Sequence, residues 1–121
     1  MRSGAEMKPV LISYDCTDHD PIDAWVPDDV RDVDFWMNFT IGYDERGGDN
    51  FQVRVVTPNN LHGPEADRYA IILSEYSWKS VLRHVTCVLS QCHGSDWAEV
   101  SGKLAKHMYW EFDNYIPYGG A

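Results

Sequence analysis

The sequence is short of positive charge. Ten Lys and Arg stand against 19 Asp and Glu in 121 residues, a formal net charge of -9 with a pI near 4.7. A field of that sign repels phosphate backbones and anionic lipid, which argues against electrostatic binding to nucleic acid or membrane. No apolar run approaches the roughly 18 residues needed to span a bilayer. Met1 to Lys8 lacks the apolar stretch of a secretory signal, so a cytosolic chain is expected. The three cysteines, Cys16, Cys87 and Cys92, are odd in number and unevenly spread, unlike a disulfide framework, and fit a reducing compartment.

Chemical signatures are equally scarce. There is no Gly-x-Ser-x-Gly elbow, phosphate loop, dinucleotide fingerprint or His-Glu-x-x-His pair, so no cofactor is expected. Cys87, Cys92, His93 and His84 are zinc-ligand types at the wrong spacing: Cys87 and Cys92 sit about 140° apart around a helix. They read as buried thiols. Asp15, Asp18 and Asp20 crowd carboxylates together but lack the Gly and closing Glu of a helix-flanked calcium loop. No metal site is expected.

What is present is enough for one core: 44% hydrophobic residues, with five Trp, seven Tyr and four Phe. One domain over 1–121 is expected, with 1–8 frayed and 116–121 a tail. Pro9 to Tyr14 reads as a first strand. A long loop follows, rich in Asp and broken by Pro21 and Pro27, with Ile22, Trp25 and Val26 tethering it. From Val33 to Tyr43 apolar Phe35, Met37, Phe39 and Ile41 alternate with Trp36, Asn38 and Thr40, which predicts a half-buried strand. Tyr43 to Asn50 reads as a turn, after which Phe51, Val53 and Val55 alternate with Gln52 and Arg54 to complete an antiparallel hairpin.

Thr57-Pro58-Asn59-Asn60 ends that strand. Ala70-Ile71-Ile72-Leu73 fits a short strand buried on both sides. Ser77 caps a helix running to about Gly94 with Trp78, Val81, Leu82, Val85, Leu89 and Cys92 on one stripe. Asp96 and Glu99 form a capping box for a second helix with the stripe Trp97, Val100, Leu104, Met108 and Phe112. The fold class is therefore α+β: two layers, a mainly antiparallel sheet of about four strands with two C-terminal helices packed on one face. The other face, bearing Trp36, Asn38, Thr40, Gln52 and Arg54, is left open. Trp36 and Trp110 fall on the polar sides of their elements, as exposed anchors do; Trp110 is instead buried if the second helix ends early and Tyr109 to Tyr115 is extended.

The alternative, a small hydrolase or nucleotide-processing enzyme, needs a site assembled from scattered groups such as His84, His107, Glu111 and Asp113, or carboxylate pairs such as Asp32 with Asp34 or Glu111 with Asp113. Nothing local selects one, so a protein-binding role without catalysis is preferred; a housekeeping adaptor domain is a third reading.

Asp34-Phe35-Trp36 leading to Ile41-Gly42, then Asn50-Phe51-Gln52-Val53-Arg54-Val55-Val56-Thr57-Pro58, Trp78, Ser95-Asp96-Trp97 and Trp110-Glu111-Phe112 together resemble the immunity protein 8 family of bacterial polymorphic toxin systems. The likeness runs from about Asp32 to Tyr115, and the first thirty residues carry none. It implies an α+β antidote that binds and blocks one toxin domain delivered by a neighbouring cell, and it carries over no catalytic motif and no contact residue. The acidity independently suits a basic toxin such as a nuclease. The expected toxin-facing residues are Asp28, Asp29 and Asp32 of the long loop and Asp44, Glu45 and Asp49 of the hairpin tip, around Trp36.

Overall fold

The alternating stretches form the spine of the structure, a computed structural model that describes residues 6–44, 47–63 and 68–111. Strands β2 (Asp34–Asp44) and β3 (Gly47–Val56) pair antiparallel from Asp34↔Val56 to Asp44↔Gly47. Facing residues share one side of the pleat, so Phe35, Met37, Phe39 and Ile41 are buried together with Phe51, Val53 and Val55. The hairpin is longer than its sequence suggests: Tyr43 and Asp44 continue β2, and Gly47 to Asn50 already belong to β3. Gly42 and Gly48 permit this. A Cβ on Gly48 would run into the carbonyl of Ile41, and one on Gly42 into that of Gly47, so only glycine lets the backbones close beside the irregularity between Gly42 and Asp44.

Strand β1 (Val10–Asp15) pairs antiparallel with the outer edge of β2. On the far edge of β3, β4 (Ala70–Ile72) pairs parallel through Arg54↔Ala70 to Val56↔Ile72, and β5 (Tyr109–Trp110) pairs antiparallel through Phe51↔Trp110 and Gln52↔Tyr109. The sheet is mainly antiparallel, as expected for α+β, with five strands in the order β1-β2-β3-β4 and β5 beside β4 on β3. β4 is not buried on both sides: Ile71 is buried while Ile72 is exposed, because only one face of this edge is covered.

Helices α1 (Trp78–Ser90) and α2 (Trp97–Leu104) join one cluster with the sheet through Val81, Val85, Val88, Val100 and Leu104. Ser77 caps α1, accepting from Ser80 N at 3.1 Å. The helix ends at Ser90 rather than near Gly94, with the Ser90 hydroxyl donating back to the Cys87 carbonyl. Cys92 is buried as expected, but Cys87 faces outward. Asp96 caps α2 by accepting from Glu99 N, and Glu99 in return accepts from Ser95 N, one residue before the cap.

α2 stops at Leu104, well short of Phe112, which lies outside the described residues. The chain turns through 105–108 and enters β5, so Trp110 takes the extended alternative: its ring is parallel to Phe51 and packs on the core. Glu6 to Lys8 are not frayed; Met7 exchanges two backbone hydrogen bonds with Gly94, joining the chain before β1 to the α1–α2 link. Residues 116–121 lie outside the described residues.

Candidate functional site

The long loop between β1 and β2 is held down by aromatic packing. Ile22 is buried, and Trp25 meets Phe35 edge-on at 5.4 Å and Tyr76 at 5.3 Å. His19 stacks on Trp25, with ring centroids 3.7 Å apart, and meets Phe35 edge-on at 5.0 Å. Val26 does not tether the loop, being 78% exposed. Anchored in this way, the loop walls an open cleft of about 320 Å³ lined by His19, Trp25, Pro27, Val33 and four carboxylates: Asp28, Asp29, Asp32 and Asp34.

Three of these carboxylates are held by hydrogen bonds. Asp29 accepts from Arg31 N, and Asp32 accepts from the side-chain amides of Asn60 and Asn59. Those amides, Asn60 first, hold the Asp32 carboxyl below its ordinary value. Asp34 is forked onto Arg54 through two hydrogen bonds of 2.8 Å, and that guanidinium pulls its carboxyl down against the opposing effect of burial. A general acid needs the opposite shift. Asp32 and Asp34 are therefore suited to staying ionised rather than to donating a proton, Asp34 with its charge already balanced by Arg54.

The remaining expected residues fall into separate places. Trp36 sits one strand position beyond this cleft on the open face, 44% exposed. The hairpin tip is at the other end of β2, ten residues from Asp34 and so roughly 30 Å away. The side chain of Asp44, and Glu45 altogether, lie outside the described residues. Asp49 is within β3 and faces the helices: its Oδ2 accepts from the indole N–H of Trp97 and from that of Trp110, each at 2.9 Å. It ties α2 and β5 to β3. The residues expected to form one patch are thus divided, with Asp28, Asp29, Asp32 and Trp36 at one end and Asp44 at the other.

Of the enzyme constellation, the described residues bring His84 and His107 near each other. His84 on α1 is held below its ordinary value by desolvation first and by His107 second, which puts the two imidazoles within electrostatic reach. The Glu111 carboxylate accepts from Asn50 N at the edge of β3, and Asp113 lies outside the described residues. No group of three or more His, Cys, Asp and Glu able to hold a metal ion occurs among the described residues. None of the helices they form is long and apolar enough to cross a membrane.

Sequence reasoning missed the Asp34–Arg54 fork, the His19–Trp25 wall and the exposure of Ile72. The first was latent in the hairpin register, which sets Asp34 diagonally from Arg54 on one face. Among known proteins, the family model described as Immunity protein 8 matches residues 10–115, taking in β1 and the long loop as well as the segments that carried the resemblance. No curated protein and no solved structure matches the chain.

Proposed function

The chain belongs to the immunity protein 8 family and so is an immunity protein directed against a toxin; from that premise we propose that it neutralises, in the cytosol and without catalysis, a toxin domain with a basic surface. A nuclease is the fitting class, because a site that binds phosphates is basic and an acidic inhibitor can occlude it. The observation that carries the reading is the cleft of Asp28, Asp29, Asp32 and Asp34 beside exposed Trp36, in a chain of net charge -9. Asp28, Asp29 and Asp32 steer the toxin in, and Trp36 anchors it. Asp44 and Glu45, next to each other in the sequence, add to the chain's negative charge.

The test uses the toxin domain encoded beside this gene, with association followed by stopped-flow fluorescence at several ionic strengths. The wild-type rate should fall as salt rises, and Asp28→Lys with Asp29→Lys should slow it by about tenfold or more at low salt. An unchanged rate for the double variant would remove the cleft from the encounter.

A further inference from the structure

The cleft opens at one edge of a sheet face that the described helices leave uncovered. Cross-strand register assigns that face without ambiguity. One row runs Trp36, Arg54, Ala70; the row below it runs Asp34, Val56, Ile72, where Val56 is covered and buried; the row above runs Asn38, Gln52, Tyr109. Trp36 and Ile72 are each 44% exposed and flank the Asp34–Arg54 fork diagonally. They stand on either side of β3, and large apolar side chains exposed on one sheet face mark it as an interaction surface.

The polar groups between them are already paired. Arg54 is forked onto Asp34 and also donates to the Asn60 carbonyl at 3.1 Å, while the Gln52 amide donates to Asn38 Oδ1 at 2.9 Å. Covering such a face strands few donors or acceptors and freezes few rotamers, so the desolvation and entropy costs that erode protein association are small here. Trp, Tyr and Arg, the residue types that dominate interface energetics, all lie on this face: Trp36 beside Arg54, and Tyr109 on the edge strand opposite Gln52.

Charge selects the occupant. The Asp34–Arg54 fork is neutral as a pair, but Asp15 pairs with Asn38 at the β1 edge of the face, and the cleft adds Asp28, Asp29 and Asp32. Of the cations nearby, Arg54 is held by Asp34, Arg31 pairs with Glu75, and Arg68 stacks over Tyr69. Two copies of a chain with net charge -9 repel each other, whereas a Lys- and Arg-rich surface is drawn in.

We propose that the toxin seats on this sheet face, with Trp36, Ile72 and the Asp34–Arg54 fork at the centre of a contact whose acidic rim is the neighbouring cleft. This rests on the immunity reading and divides the work within it: the cleft governs how fast the partner arrives, and the sheet face governs how long it stays.

Surface plasmon resonance with the toxin domain encoded beside the gene separates the two. Trp36→Ala should raise the dissociation rate by about 30-fold with the association rate changed less than about twofold. Ile72→Ser should raise dissociation by several-fold, and Asp28→Asn with Asp29→Asn should lower association alone. Thr86→Tyr, on the outward side of α1, should leave both rates unchanged. Thermal melts of each variant confirm that it folds, and the Ile72→Ser result stands if Trp36→Ala does not. A tight wild-type complex whose dissociation ignores both Trp36→Ala and Ile72→Ser overturns the face while leaving the immunity reading intact. Absence of any wild-type complex overturns both. A wild-type dimer in sedimentation that Trp36→Ala dissolves would assign the face to a second copy and overturn the toxin as its occupant.

Discussion

Replacing Asp49 with Ala separates a structural carboxylate from a toxin contact. In the wild type one oxygen, Oδ2, accepts from the indoles of Trp97 and Trp110, so a single side chain fastens α2 and β5 to β3. A hydrogen bond to a charged group contributes about 1.5–3 kcal/mol, and removing the acceptor leaves two half-covered N–H donors that water reaches only in part. The two bonds share an oxygen and are not additive, so a loss of about 3 kcal/mol is expected rather than the sum. With an unfolding entropy near 2.1 cal/mol/K per residue over 121 residues, about 0.25 kcal/mol/K, the melting temperature should fall by roughly 12 °C. Asp49→Asn keeps a neutral acceptor and should lose about half as much. Calorimetry gives the melting temperature, and toxin association measured below the transition should stay near the wild-type rate. If Asp49→Ala melts within about 2 °C of wild type while toxin affinity collapses, Asp49 is a contact and the tether is wrong.

Three further outcomes follow from single features. Gly48→Ala forces a Cβ against the Ile41 carbonyl and should destabilise the hairpin by several kcal/mol, read by chemical denaturation; a loss under about 1 kcal/mol would show that the closure tolerates a side chain. Tyr76→Phe removes a buried hydroxyl that has no hydrogen-bond partner among the described residues, and should stabilise by about 1 kcal/mol at neutral pH. Burial, then Cys16, raises the Tyr76 phenol to about 12, so its contribution is intact below pH 10.0 and is lost as pH rises through that interval; Tyr76→Phe should unfold at higher pH than wild type. At the acid end, Asp34, lowered by Arg54, and Glu99, lowered by the Ser95 N–H, contribute stability above their ordinary values of 3.8 and 4.5. That stability should disappear as pH falls below about 4.5, and Arg54→Met should flatten the limb in a pH series of melts.

The hairpin, the capped helix starts and the α+β layering could be read from the sequence because each depends on near neighbours: alternation over Phe35 to Ile41, Ser77 ahead of its stripe, Asp96 three residues before Glu99. β5 could not. Met108 and Phe112 continue the helical spacing from Leu104, and what ends α2 is an edge of β3 more than fifty residues away, where Trp110 finds Phe51 and Asp49. The same long-range pairing moves Asp49 out of the acidic patch. The cleft was half legible, since the crowding of Asp28, Asp29 and Asp32 is local, whereas their meeting with Asp34 depends on Trp25 packing against Phe35 and Tyr76. Trp36 was legible from alternation alone. Ile72, two strands away on the same face, was not, because a short apolar run such as Ala70 to Leu73 does not reveal that its strand is covered on one side only.

The central claim is tested most directly by expressing the toxin domain encoded beside this gene in a sensitive bacterial host, with and without this chain, and counting survivors. Wild-type chain should restore growth, and Trp36→Ala combined with Asp28→Lys and Asp29→Lys, expressed to the same level and folded, should fail to do so. Death at the same rate with and without the wild-type chain would contradict the account.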